Sequence, residues 1–267
     1  VLNISLDHMD RHKDFQSYIE LKKKVFALQT RSDYLILNQD DLNTRDLGQG
    51  CPAEIIFFST KIELEKGVFL RGNKIIARLN NREIEVMSLK SLPVGMQWQV
   101  ENILPAIAIA LTLNLPHDVI ERALHSFTGL EHRLEWVRSL DGVDFINDSK
   151  GTNVGSVCKS LNTFSRPIIL IVGGKDKNTD FFPLKNLIKE KVKHLILIGE
   201  TRKKFKAILN GSLDYEESGS LEEAVVLAKA KAREGDIVLL SPACSSFDMF
   251  KDYADRGTHF KAIVKNL

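Results

Sequence analysis

Three short stretches concentrate the residue types that can hold an anion. Asn147-Asp148-Ser149-Lys150-Gly151-Thr152-Asn153 packs an acid, an amine, hydroxyls, amides and a glycine into consecutive positions. Gly173-Gly174-Lys175-Asp176-Lys177 adds two more amines beside a glycine pair, and Ser241-Pro242-Ala243-Cys244-Ser245-Ser246 adds hydroxyls and a thiol. Lysines and hydroxyls dominate, so the chemistry they suit is capture of a small anion, a carboxylate or a phosphate. A fourth stretch, Asp7-His8-Met9-Asp10, carries the donors of a metal-site loop. Each has a plainer reading. Asp148 or Ser149 serves as an ordinary helix N-cap, Lys175 and Lys177 are solvated loop lysines, Gly173-Gly174 makes a turn, and Cys244 is a small buried hydrophobe.

The elements needed to position these stretches are legible around them. Each of the first three follows an apolar, β-prone run: Val143 to Ile146, Pro167 to Val172, and Ile237 to Leu240. Between them, helices are expected over Thr152–Phe164, Pro183–Lys191, Thr201–Leu209, Leu221–Arg233 and Tyr253–Lys265, with further strands at Leu134–Val137 and His194–Ile198. Strands alternating with helices argue for an α/β, doubly wound, mostly parallel sheet. In such a sheet the turns after the strands share one edge, where ligands bind. The segment before Gly129 has another texture. A short strand at Val1–Ile4 and a helix from Asp14 or Ser17 to Ala27 come first. Strands at Tyr34–Asn38 and Glu54–Phe58 then read as buried and parallel. A meander follows (Gly67–Arg71, Lys74–Arg78, Glu83–Met87), then helices Gln99–Leu113 and His117–Phe127. The boundary falls in Gly129 to His132, giving domains 1–130 and 131–267.

The totals set bounds. The 267 residues suffice for one large or two ordinary domains, and 43% hydrophobic with 27% charged residues is globular. A net charge of +2 points to neither nucleic acid nor an acidic membrane surface. Three scattered cysteines without a Cys-x-x-Cys pair fit a reducing cytoplasm. The apolar run Ile103 to Leu113 is too short to span a membrane. The opening Val1-Leu2-Asn3-Ile4-Ser5 reads like the inside of a strand, so the chain is expected to be a fragment. Gly-x-x-x-x-Gly-Lys-Ser/Thr is absent, Gly48-Gln49-Gly50 fails the dinucleotide fingerprint, and there is no Gly-x-Ser-x-Gly elbow.

Taken together, Asp7-His8-Met9-Asp10-Arg11, Tyr18 with Lys22, His132-Arg133, Asn147 to Asn153, Gly173-Gly174 with Lys177, and Ser241 to Ser246 match a known pattern in order and spacing. The chain resembles the Mur ligases of peptidoglycan synthesis, and among them those that add D-glutamate to UDP-N-acetylmuramoyl-L-alanine. The resemblance implies a partial P-loop-type ATPase domain (1–130), then a Rossmann-like amino-acid-binding domain (131–267). It places a UDP-binding domain, the P-loop and an acidic magnesium ligand upstream of Val1.

Carried over by position, the resemblance gives His8 to Mg2+ and makes Lys22 the lysine that relatives carry as a carbamate, an anion able to orient metal-bound groups. The plainer reading of Lys22, within Lys22-Lys23-Lys24, is a solvated lysine. Asn102 matches an adenine contact, and Arg133 and Asp148 match ATP phosphate and ribose contacts. Lys150, Thr152, Lys177, Ser246, Phe247 and Tyr253 match the D-glutamate pocket, with Tyr253 standing where phenylalanine is often found. The implied reaction is ATP-dependent amide formation through an acyl phosphate, with domain closure about a hinge at Leu130 to Arg133. The implied partners are small-molecule substrates only, the chain a cytoplasmic monomer. The alternatives are another Mur-type or folylpolyglutamate-type ligase and a non-catalytic anion- or nucleotide-binding module.

Overall fold

Alternating apolar residues and glycine- or asparagine-marked turns partition the chain into two compact units, Val1–Thr128 and Gly129–Leu267, in the computed structural model, which describes every residue except 5–11 and 212. His8 and its neighbours in the Asp7 to Arg11 string lie outside the described residues.

The first unit begins with α1 (Phe15–Lys23), capped by Asp14, whose carboxylate accepts the Ser17 amide at 2.7 Å. Strands β1 (Tyr34–Asn38), β2 (Glu54–Ser59), β3 (Gly67–Arg71), β4 (Lys74–Leu79) and β5 (Arg82–Ser88) form one sheet in that order. The first three run parallel and the last three antiparallel. The β4–β5 turn uses Asn80 and Asn81, both at positive φ, as a two-residue hairpin requires. Helices α2 (Val94–Gln97), α3 (Val100–Thr112) and α4 (His117–Ser126) complete the unit. Period-two alternation in β1 sends Leu35 and Leu37 to a cluster with Tyr18 and Phe26, and Ile36 to a cluster with Ile103, Leu104 and Ile107. Helices α1 and α3 therefore cover opposite faces.

Val1–Ile4 does not form the expected strand. The α-amino group donates to Ile36 O at 2.7 Å, and Asn38 and Asn43 donate side-chain N–H to Leu2 O and Ile4 O. Side-chain donors thus take the carbonyls that a ladder would have used.

The second unit holds β6 (Glu135–Leu140), β7 (Val143–Asn147), α5 (Val154–Thr163), β8 (Ile168–Gly173), α6 (Leu184–Lys191), β9 (Val192–Ile198), α7 (Arg202–Leu209), β10 (Tyr215–Glu217), α8 (Leu221–Lys231), β11 (Ile237–Leu240) and α9 (Tyr253–Lys265). The sheet order is β10-β9-β8-β11-β7-β6, parallel except for β6. Every residue of β8 and β11 is buried, which is why they read as unbroken apolar runs. Val143, Phe145, Ile169, Ile171, Val238 and Leu240 pack under α8 and α9. The alternate residues face the other side, where α5, α6 and α7 bury Leu161, Ile188 and Phe205. Each such side chain contributes about 2 kcal/mol.

Several expected bounds shift: β9 starts at Val192 rather than His194, β6 runs on to Leu140 rather than Val137, and α8 ends at Lys231 rather than Arg233. Helix α5 starts at Val154 with Asn153 as its cap, accepting Ser156 N–H at 2.8 Å, so neither Asp148 nor Ser149 caps it. Strand β6 starts at Glu135, because Leu134 sits at φ +45° and cannot extend a ladder.

Candidate active site

The loops after β7, β8 and β11 are bonded to one another along the carboxyl edge of the second sheet. Ala243 N–H donates to Gly151 O at 2.8 Å, Gly173 N–H to Pro242 O at 2.9 Å, and Lys175 N–H to Ser245 O at 2.9 Å. The β9 loop joins them, since Thr201 Oγ1 accepts Gly174 N–H at 3.2 Å. Gly174 is at φ +147°, and a Cβ there would lie 2.4 Å from Ser245 O, so the close approach of these loops depends on glycine.

Within that rim the candidate residues divide into those consumed by the structure and those left for a ligand. Ser149 is consumed: fully buried, it donates Oγ–H to Tyr253 O at 2.8 Å and accepts Arg256 Nε–H at 2.9 Å. Lys175 is paired with Glu200 at 2.7 Å, and Asp176 with Lys204 at 2.6 Å. Lys150 and Lys177 have no carboxylate partner among the described residues, so their charge remains available. Lys177 is exposed, whereas Lys150 rests its Nζ 3.8 Å from the centre of the Tyr253 ring. Thr152 is half-buried, Ser246 is buried beside the orphaned Ser245 hydroxyl, and Phe247 stands 69% exposed. The rim can therefore grip an anion with ammonium and hydroxyl donors.

Asp148 is turned inward at 6% exposure. Its carboxylate accepts Ser160 Oγ–H and Ser241 Oγ–H at 2.7 Å each and Leu134 N–H at 3.3 Å. Burial pushes its carboxyl up to about 6 despite those hydrogen bonds and the nearby Arg133. The bond to Leu134 N–H steadies a strained turn. His132 and Leu134 are both non-glycine residues at positive φ, +65° and +45°, flanking the exposed Arg133. Glu135 Oε2 accepts His132 N–H at 2.9 Å and holds the other side of the turn.

Sequence reasoning missed Arg256. Its guanidinium is 1% exposed, donates to Ser149 O and Cys244 O at 2.9 and 3.2 Å, and leaves Nη1 without a partner. It ties the β7 loop to the β11 loop. Asp255-Arg256-Gly257 carries no signal of this, because a charged residue early in a helix reads as solvated.

In the first unit, Lys22 is exposed, with Nζ 4.9 Å from the centre of the Tyr18 ring. Asn102 is exposed and donates to Gln99 Oε1 at 2.9 Å. They lie on helices covering opposite faces of that sheet, so it does not gather them on one face. Among the described residues no three His, Cys, Asp or Glu side chains are grouped to hold a metal. An unmodified Lys22 would be no magnesium ligand either, and His8, the other residue the resemblance gives to the metal, lies outside the described residues.

Two domain families match this chain: the Mur ligase middle domain over residues 1–110, and the Mur ligase, glutamate ligase domain over residues 132–244. The UDP-N-acetylmuramoylalanine–D-glutamate ligases of Geotalea daltonii and Clostridioides difficile are 42% and 40% identical to it over 267 and 269 residues. Each alignment covers 100% of the chain, which spans 59% of the length of these curated relatives. Among solved structures, a pseudomurein peptide ligase type C from Methanothermus fervidus matches with a TM-score of 0.69 at 18% identity, covering 99% of this chain and 62% of that one. Escherichia coli FolC in complex with ADP matches at 0.67 and 17%, covering 99% and 61%. At such identities the likeness is one of fold.

Proposed function

The chain belongs to the Mur ligase family, and from that premise we propose that it serves an ATP-dependent ligase adding D-glutamate to UDP-N-acetylmuramoyl-L-alanine in peptidoglycan synthesis. The observation that carries the reading is the rim of the second unit. Lys150 and Lys177, with no acidic partner among the described residues, stand on loops hydrogen-bonded to a common neighbour, beside Thr152 and Ser246. That set suits an amino acid bearing two carboxylates.

In this reading Lys150, Thr152, Lys177 and Ser246 bind the carboxylates, Phe247 walls the pocket, and Tyr253 serves it from behind Lys150. The amine is thereby left free of the binding groups. ATP phosphorylates the carboxylate of UDP-N-acetylmuramoyl-L-alanine. The neutral amine then attacks the acyl carbon, the C–N bond forms, the C–O bond to phosphate breaks, and the amine proton passes to solvent. Asn102, Arg133 and Asp148 are assigned to ATP, with Asp148 acting through the turn that bears Arg133. Mur ligases use ATP and Mg2+; His8 and a carbamate on Lys22 are the proposed means of engaging the metal. The units Val1–Thr128 and Gly129–Leu267 take the nucleotide-binding and amino-acid-binding roles, with the hinge in Leu130 to Arg133. Nucleotide substrates suit a cytoplasmic location, and a monomer is the proposed state. Among the described residues no helix is long and apolar enough to cross a membrane.

The test is phosphate release by the full-length gene product with ATP, Mg2+ and UDP-N-acetylmuramoyl-L-alanine. Release should require D-glutamate. Dependence on another amino acid would move the protein to a different Mur-type or folylpolyglutamate-type activity. Nucleotide binding without release under any amino acid would leave a binding module.

A further inference from the structure

Lys150 is held in an unusual way for a surface-edge lysine. Its Nζ has no hydrogen-bond or ion-pair partner among the described residues and lies 3.8 Å from the centre of the Tyr253 ring, the geometry of a cation–π contact. Tyr253 is itself fixed. It opens α9, whose cap Asp252 accepts Asp255 N–H at 2.8 Å, and its carbonyl accepts the Ser149 hydroxyl at 2.8 Å. His132 meets its ring edge-on, with centroids 6.1 Å apart and planes at 80°.

His132 is fixed in turn. Its Nδ1 lies 3.0 Å from Asn147 Nδ2, and its carbonyl accepts Lys150 N–H at 3.0 Å. A Cβ on Gly257 would come within 2.2 Å of Nδ1, so α9 can pass over the imidazole only because that residue is glycine. The order His132, Tyr253, Lys150 is thus a stack whose base is buried and whose top is a half-buried ammonium at the ligand rim.

We propose that Tyr253 is a positioning residue: braced by His132, its ring fixes the Lys150 ammonium without neutralising it, so that Lys150 meets a carboxylate of the incoming amino acid at full charge. The neighbouring Lys175 supplies the contrast. It is fixed by Glu200 at 2.7 Å, and its charge is offset before any ligand arrives. A π face orients a cation while leaving its N–H donors and its net charge in place, which a carboxylate partner does not. The inference rests on the D-glutamate reading of the rim.

The test uses the full-length enzyme and two readouts. Tyr253→Phe keeps the ring and should hold the KM for D-glutamate within about twofold. Tyr253→Leu should raise that KM about fivefold to tenfold, the worth of one cation–π contact, with kcat at saturating D-glutamate and the KM for ATP unchanged. Tyr253→Met replaces it should the leucine variant not fold. In a Lys150→Met background the same change should add nothing. Independently, the Lys150 ε-methylene resonance, assigned by its loss in Lys150→Arg, should be ring-shifted upfield in the parent and in Tyr253→Phe and not in Tyr253→Leu. An unchanged D-glutamate KM in Tyr253→Leu, additivity with Lys150→Met, or no ring shift in the parent overturns the proposal. If the parent enzyme does not turn over D-glutamate, the reading of the rim fails, and the ring shift still reports on the stack.

Discussion

Replacing Asp148 by asparagine should stabilise the second unit at alkaline pH. The carboxylate is 6% exposed, and burial lifts it from 3.8 to about 6, outweighing the two serine hydroxyls, the Leu134 amide and Arg133, all of which favour the charged form. A shift of about two units corresponds to about 3 kcal/mol between protonation states. Because the folded value lies above the unfolded one, the stability this group contributes is fully present below about pH 4. It is lost as pH rises through about 6. Asparagine does not titrate. Its amide oxygen can accept from Leu134 N–H and its NH2 can donate to Ser160 or Ser241 once a hydroxyl turns, so the steric and hydrogen-bonded frame is kept at a cost of about 1 kcal/mol. Asp148→Asn should therefore be more stable than the parent by about 1–2 kcal/mol at pH 8 and no more stable at pH 4. The two tryptophans make this measurable unit by unit: Trp98 lies in the first unit and Trp136 in the second. With Trp98 and any tryptophan outside residues 1–267 replaced by phenylalanine, guanidinium unfolding followed by Trp136 fluorescence from pH 4 to 8 reports the second unit alone. A destabilised variant at pH 8, with the parent's pH slope intact, would refute the view that Asp148 is held ionised against its solvation.

Lys177→Ala should raise the KM for D-glutamate about 30-fold with little effect on ATP, as losing one charge-assisted contact costs about 2 kcal/mol; steady-state kinetics with an unchanged D-glutamate KM would remove Lys177 from the pocket. Gly257→Ala gains about 1 kcal/mol of helix propensity, but its Cβ would stand 2.2 Å from the His132 ring. Overpacking of about 1–3 kcal/mol should win, lowering the melting temperature of the second unit, and a higher melting temperature would mean that α9 shifts freely. For Lys22→Ala, the proposed carbamate predicts that lost activity returns in part with short carboxylic acids; kinetics showing no rescue at any acid concentration would count against it.

The regular parts of both units were legible because their signals are local. Strands β1, β7, β8, β9 and β11 show as apolar runs with polar ends, and Asn80-Asn81 marks a hairpin through its tolerance of positive φ. The short strand β10, only Tyr215–Glu217, pairs with β9 alone and has a half-exposed pattern that no period can reveal. Strand β6 begins one residue late because Leu134 adopts positive φ, in a turn whose Leu134 amide is hydrogen-bonded to the remote Asp148.

At the site the limit was of another kind. Residue type shows which side chains can bind an anion, but not which have already been spent on each other. Ser149 and Ser246 look equivalent in sequence, as do Lys175 and Lys177. The separation is made by partners far along the chain: Arg256, 107 residues from Ser149, and Glu200, 25 residues from Lys175. Partners so remote carry no period and no motif, and they become visible only when the sheet edge brings the loops together. The same logic explains why Arg256 escaped notice. A buried guanidinium without a carboxylate is costly in isolation. It is tolerable here because the Ser149 hydroxyl and carbonyl and the Cys244 carbonyl accept three of its N–H groups. Those acceptors exist only at the junction of two loops that the sequence keeps apart.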